Sequence, residues 1–234
     1  RAGRVQRPST MPVSSSYRPA PRITELGDGF YDAVEAARFP EHRLRFRNQR
    51  WADRSGLGDL DAAEWERHFA SFAPLPDNLP HPLALRYHGH QFRVFNPQIG
   101  DGRGFLHAQL LDDSGRLLDL ATKGSGRTPW SRDGDGRLTL KGGVREVLAT
   151  EMLEALGVPT SKTFSLFETG EQLWRGDEPS PTRSSVLVRL GHSHVRFGSF
   201  QRQLALGDQA RIKTLLDYAI RHYAADLVVG AGED

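Results

Sequence analysis

The 234-residue sequence contains no cysteine. Disulfides, thiolate zinc centres and cysteine nucleophiles are therefore excluded. No apolar run approaches the roughly 20 residues of a membrane-spanning helix, and no secretory leader pattern opens the chain. A reducing, cytoplasmic setting is the expectation. Lysine is scarce: only Lys123, Lys141, Lys162 and Lys213 among 31 basic residues, the rest being arginine. Arginine suits planar, two-pronged contacts to phosphate, although genome base composition also produces such an excess. The formal net charge of +2 provides no broad basic face, and no RNP, KH or dsRBD pattern occurs. A nucleic-acid partner is not expected. What the chain does have is 38% hydrophobic residues, enough at this length for one large domain or two lobes.

Residues 1–25 are rich in Arg, Pro and Ser without an apolar period and read as a disordered arm. The chain begins at Arg1 and its final residues, VVGAGED, follow closely on an amphipathic helix, so both ends read as cuts in a longer frame. From Asp61 the spacing predicts a helix with Trp65, Phe69 and Phe72 on a buried face. Pro74 to Pro82 reads as a connector. Phe105–Leu111 and Arg116–Lys123 alternate around Asp112-Asp-Ser-Gly and predict a β-hairpin. Gly143–Leu156 predicts a helix with Val144, Val147, Leu148, Met152 and Leu156 buried, stopped by Gly157 and Pro159. Thr163–Phe167 and Ser185–Leu190 read as strands around a loop, 168–182. Leu204–Val228 reads as a helix burying Leu204, Leu215, Tyr218, Ala219 and Tyr223, with Gly207 interrupting its start.

The chemistry concentrates between Asn96 and Glu151. Gly100-Asp-Gly-Arg-Gly104 enters a strand and can bring backbone N–H groups close to phosphate, with Arg103 as an added cation. Such glycine pairs are more often plain turns, and neither a P-loop nor a strand–GxGxxG–helix unit is present. The order of elements says more. A glycine loop, a hairpin, a strand ending in Lys123 and a helix carrying Glu146 early reproduce the amino lobe of a protein kinase, where such a glutamate holds the phosphate-binding lysine. Arg189 and Arg196 follow and suit a polyphosphate clamp; ordinary ion pairs are the competing reading. The pairs His88/His90 and His192/His194 have metal-like spacing but no completing ligands, which favours hydrogen-bonding roles.

YHGHQF (87–92), NPQIGDGRG (96–104), KGSGRTPWSRDGDGR (123–137), VREVLATEMLEALGVPTSKT (144–163) and HSHVRFGSF (192–200) resemble the signature blocks of the selenoprotein O family, collinearly from about Phe30 onward. The resemblance implies an α+β, protein-kinase-like fold with pseudokinase-like active-site residues. It also implies an ATP molecule bound in inverted orientation, and transfer of AMP to Ser, Thr or Tyr hydroxyls of protein substrates. UMP transfer is attributed to some members. It implies nucleotide contacts from Gly100, Gly102, Arg103, Lys123, Asp135, Gly136, Arg189 and Arg196, with Glu146 as partner of Lys123.

The implied cofactors are ATP and Mg2+, with Mn2+ as the alternative, and the implied state is a monomer. The implied organisation is an amino-terminal extension over 26–82, a nucleotide-binding lobe over 83–191 and the start of a helical second lobe over 192–234. The sequence departs from the pattern at Arg93, where the family has Gly, at Trp130 in place of Tyr, and at Ala121 in place of Gln. The family's catalytic Asp and its Asn and Asp metal ligands fall beyond Asp234, so the segment alone is expected to be inactive. A non-catalytic ATP-binding scaffold is the alternative reading.

Overall fold

The computed structural model describes residues 14–225. After a 3-10 turn (Arg22–Leu26) come strands β1 (Tyr31–Ala33) and β2 (Arg43–Arg47), then helices α1 (Gln49–Arg54) and α2 (Ala62–Phe69). Strands β3 (Leu83–Leu85), β4 (Gly89–Gln91), β5 (Val94–Asn96), β6 (Leu106–Leu111), β7 (Leu117–Lys123) and β8 (Leu138–Thr139) lead into helix α3 (Leu140–Ala155). Strands β9 (Lys162–Leu173) and β10 (Thr182–Gly191) and helices α4 (Phe197–Ala205) and α5 (Gln209–Tyr223) complete the order. The main sheet runs β1-β3-β6-β7-β10-β9-β2 with β8 beside β10, and its pairings are antiparallel. Strands β4 and β5 form a separate hairpin. This is an α+β fold with the arrangement of a kinase-like amino lobe, α3 standing where such lobes carry their regulatory helix.

Alternation along two central strands decides what each face of the sheet carries. Leu118 and Leu120 of β7 and Val186, Val188 and Leu190 of β10 join an aromatic core with Trp51, Trp65, Phe69 and Phe164. The intervening positions, including Ala121, Lys123, Leu187 and Arg189, belong to the other face, where Leu187 packs with Leu138 and Leu166 beneath α3. Helix α2 is started by a reciprocal cap between Asp61 and Glu64, and it buries Trp65 and Phe69 completely. Trp65 stacks on Phe164 at 5.0 Å and donates its indole N–H to Ser165 Oγ. Phe72 is buried as expected, from just beyond the helix end.

The hairpin around Asp112 forms as the sequence predicts. The buried Asp112 carboxylate accepts the N–H groups of Ser114 and Arg116, and Gly115 supplies the positive φ that closes the turn.

Four expectations are corrected. Residues 14–25 are not a loose arm: the Ile23 N–H bonds Gln109 Oε1, and Ile23 and Leu26 enter a second core with Phe30, Leu83, Leu85, Leu215 and Tyr218. Residues 1–13 of that arm lie outside the described residues. The loop expected over 168–182 is shorter, confined to 174–181, because β9 runs on to Leu173 and β10 starts at Thr182, with Thr182 paired to Leu173 and Ser185 to Glu168. Its polar side chains are satisfied across the strands, Glu168 taking both Arg45 and Arg183. The single helix expected from Leu204 is two helices separated at Gly207, whose φ is +70°. Leu204 lies exposed on α4, while Leu215 and Tyr218 of α5 are buried; residues 226–228 lie outside the described residues.

The fourth correction concerns α3. It begins at Leu140, capped by the Thr139 hydroxyl, and turns the other way round from the hydrophobic reading. Val144, Leu148, Met152 and Leu156 are exposed, Leu148 by 65% and Leu156 by 70%. The side toward the sheet carries Gly143, Val147 and Thr150. A Cβ on Gly143 would lie 2.6 Å from Leu166 Cδ1, so the missing side chain lets the helix settle directly on β9. That close seat brings Glu146, on the same side, within reach of β7 and β10.

Candidate functional site

Between the glycine loop, the segment 130–137 and the exposed end of β7 and β10 lies a cleft of about 880 Å3. Gly100, Gly102, Arg103, Lys123, Asp135, Gly136, Arg189 and Arg196, the eight expected nucleotide contacts, all line it. Glu146 stands behind Lys123. Antiparallel register sets this up: Lys123 opposes Leu187 and Ala121 opposes Arg189, so Lys123 and Arg189 share a face on neighbouring strands two residues apart.

Glu146 is held from two sides. Lys123 Nζ donates to its Oε1 and the Arg189 guanidinium donates to its Oε2. Burial alone would push this carboxyl up, but the Lys123 hydrogen bond and the charges of Arg189 and Lys123 outweigh it. The carboxyl therefore titrates below its ordinary value. A carboxylate clamped between two cations fixes both of them, and it leaves the assembly with one positive charge in excess. The sequence expectation gave Arg189 to phosphate alone; the structure also ties it to Glu146. Its buried Nε has no hydrogen-bond partner.

The glycines build the wall by close packing. A Cβ on Gly100 would lie 2.4 Å from Trp130 Cγ, and one on Gly104 would lie 2.0 Å from the Thr122 carbonyl oxygen. The loop is thus pressed against Trp130 on one side and β7 on the other. The Gly124 N–H donates to the Arg103 carbonyl at 2.6 Å, and the Ser131 hydroxyl donates to the Gly102 carbonyl. Trp130 donates its indole N–H to Asp32, which also pairs with Arg86. The residue standing where the family has Tyr therefore keeps a polar anchor while packing against the glycines.

At the opposite wall Asp135 accepts the Arg137 N–H and a two-pronged contact from Arg175, at 2.8 and 3.2 Å. Burial raises the Asp135 carboxyl, yet these donors bring it below its usual range. Arg196 caps α4 and lies 4.7 Å over the Tyr87 ring, with Asp101 Oδ1 at 3.5 Å. Arg127 does not line the cleft; its guanidinium donates to the Arg132 carbonyl.

Among the further lining residues, sequence reasoning does not single out Asp101, Trp130, Arg137 and Arg175. The first three sit inside blocks already marked by glycine, but nothing in the local pattern of LWRGDE points Arg175 toward Asp135. The histidine pairs are not ligand sets. His88 Nε2 is 2.9 Å from Arg202 Nη1, and His194 bonds Asp119 through both its N–H and Nδ1. Among the described residues no group of three His, Asp or Glu side chains converges. The donors present suit a polyanion: cations, backbone N–H groups and one unpartnered guanidinium N–H. No helix among the described residues is long and apolar enough to cross a membrane.

Residues 13–232 match the family model described as protein adenylyltransferase SelO. A relative from Synechococcus elongatus described as protein nucleotidyltransferase YdiU is 52% identical over 222 residues, covering 94% of this chain and 44% of its own length. The protein of the same description from Gloeobacter violaceus is 55% identical over 210 residues, 88% of this chain and 43% of its own. A more distant one from Teredinibacter turnerae is 38% identical over 227 residues, covering 96% and 44% respectively. The chain thus spans somewhat under half the length of the curated relatives it matches.

Proposed function

The chain belongs to the SelO family, and we propose that it forms the nucleotide-binding part of an enzyme that transfers AMP from ATP to Ser, Thr or Tyr hydroxyls of protein substrates. In this reading the acceptor oxygen attacks the α-phosphorus, the bond from that phosphorus to the bridging oxygen breaks, and pyrophosphate departs. The observation that carries it is the Lys123–Glu146–Arg189 assembly opening into a cleft that also holds Arg103 and Arg196. Fixed cations around the β- and γ-phosphates stabilise charge that develops on the leaving pyrophosphate. They act without reorganising at the moment of reaction. Gly100, Gly102, Asp135 and Gly136 would border the bound nucleotide. Magnesium, with manganese as the alternative, would offset phosphate charge when bound.

The test uses the complete gene product with ATP labelled at either the α- or the γ-phosphate. Label should pass to protein from the α-position only, and Lys123→Ala should lower transfer by at least about a hundredfold, as loss of a charge-stabilising donor does. Circular dichroism should show the variant folded. Transfer of γ-label, or undiminished transfer by Lys123→Ala, would sink the reading. ATP binding without any transfer would support the scaffold instead, and preference for UTP over ATP would move the assignment to UMP transfer.

A further inference from the structure

We propose that Asp101 is an internal counter-ion of the phosphate cradle, holding Arg196 at the cleft until nucleotide phosphates displace it. The proposal rests on the nucleotide reading of the cleft and adds a residue that opposes binding in order to position its partner. A carboxylate in an anion site calls for a reason, because it repels the ligand the surrounding cations attract.

Asp101 is rigidly held. Its N–H donates to the Leu85 carbonyl at 3.1 Å, and the Leu85 N–H donates back to Oδ2 at 3.0 Å. The Thr128 hydroxyl donates to its carbonyl oxygen. One carboxylate oxygen and the backbone are thereby fixed to the end of β3. The other oxygen faces Arg196 at 3.5 Å, and the Asp101 side chain is only 10% exposed against 48% for Arg196. Burial pushes the Asp101 carboxyl up, with Arg196 and His194 offsetting only part of that.

The backbone of Arg196 is fixed as well. Its N–H reaches Ser199 Oγ at 3.3 Å, and the next turn of α4 rests on His88 so closely that a Cβ on Gly198 would lie 1.9 Å from the His88 carbonyl. Only the Arg196 guanidinium has room to change partner. Of the other paired acids at the cleft, Glu146 is held by two cations and Asp135 by a two-pronged arginine. The Asp101–Arg196 contact is the loosest of these pairs and exchanges most readily. A polyphosphate offers more charge and two-pronged geometry, and it outcompetes a single oxygen at 3.5 Å. Asp101 then remains beside the bound anion, weakening its hold and favouring release of pyrophosphate.

The experiment titrates inorganic pyrophosphate calorimetrically into the wild-type chain, Asp101→Asn, Arg196→Ala and the double variant. The asparagine amide oxygen still accepts the Leu85 N–H. Asp101→Asn should tighten binding by about two- to fivefold, within the range of a partly exposed charge pair, a gain that damage to the fold would not produce. On the Arg196→Ala background the gain should shrink to the part due to direct repulsion between Asp101 and the anion, since coupled residues do not add. Unchanged or weaker binding by Asp101→Asn overturns the proposal, as does a gain undiminished by the loss of Arg196. A measurement on the unaltered protein guards against misfolding: the Arg196 guanidinium resonance should shift when pyrophosphate is added, and a static resonance also overturns it. If the wild-type chain binds neither pyrophosphate nor ATP, the nucleotide reading itself falls and takes this proposal with it.

Discussion

The two faces of strands β7 and β10 are built from alternating residues of the same few turns of sequence, yet they solve opposite problems. Leu118, Leu120, Val186 and Val188 enter an aromatic core in which Phe164 has no exposure at all. One residue over, Lys123 and Arg189 lie partly exposed, and they are held by the single carboxylate of Glu146. The first face gains free energy by excluding water from apolar surface. The second keeps charges in place, at little net gain in stability, so that they are ready for a ligand. Damage to one face should therefore appear as lost folding, and damage to the other as lost binding.

Phe164→Ala tests the core side and has the largest expected effect, a loss of about 3–5 kcal/mol in unfolding free energy from lost burial and the cavity left behind. Denaturant titration measures it. ATP affinity, extrapolated to the folded fraction, should stay near that of the wild type. If affinity collapses while the protein remains folded, the two faces are not separable, and the comparison breaks. The Lys123→Ala variant described above is the reciprocal case, losing function with the fold kept.

The core side carries a polar exception. His107 is buried among Phe69 and Phe72, its Nε2 has no partner, and burial pushes its pKa down from 6.5 to about 4. His68 beside it is lowered in the same direction, again by burial. The sign follows directly: below about 6.5 the unfolded chain takes up a proton that folded His107 refuses, so stability falls with decreasing pH until the folded histidine also titrates near 4. The difference amounts to about 3 kcal/mol for His107. Carboxylates held low, Glu146 among them, add their own loss only at lower pH, as pH falls from the unfolded carboxylate range through their folded values. Unfolding curves at pH 7.5 and 4.5 should show the drop, and His107→Leu should remove much of it. A pH-independent stability over that interval would contradict a neutral buried His107.

Much of this was legible in the chain. The Asp112 turn and the alternating strands around it specify the hairpin, and Lys123 followed by a helix with Glu146 specifies the ion pair. The Gly207 break is visible too, though the pattern presents it as a weak start to one helix when it separates two. What misled was the α3 stripe. Val144, Leu148, Met152 and Leu156 have the spacing of a buried face, but seating the helix by Gly143 and Thr150 brings Glu146 onto the sheet and turns that stripe outward. Periodicity gives the side that is apolar; it does not say whether a neighbour covers it. The β9–β10 hairpin was underestimated for a similar reason, since cross-strand pairs such as Glu168 with Arg183 satisfy charges that looked like loop. Arg175 could not be placed because its partner, Asp135, is forty residues away.

The smallest predicted effect lies at the rim of the cleft. The β4–β5 hairpin turns through Phe92 and Arg93, both at positive φ, 51° and 66°. Such a turn ordinarily uses Asn-Gly or Asp-Gly, because a side chain there meets the neighbouring carbonyl. The resemblance places Gly at position 93, so Arg93 is a local departure carried at a strain of about 1 kcal/mol. Arg93→Gly removes that strain but gives the unfolded chain more freedom, and the net expectation is a gain of about 0.5 kcal/mol. Phe92 is 93% exposed, so no core packing holds the turn in place. Its neighbour Gln91 lines the cleft and accepts from Arg132, itself at positive φ. Among the described residues, three of the five non-glycine residues at positive φ, Phe92, Arg93 and Arg132, thus lie at or beside the cleft rim, while Phe72 and Asp77 lie elsewhere. If Arg93→Gly stabilises the protein and leaves pyrophosphate affinity unchanged, the strain is incidental to the site. If affinity falls while stability rises, the rigidity of this turn is part of how the cleft holds its shape.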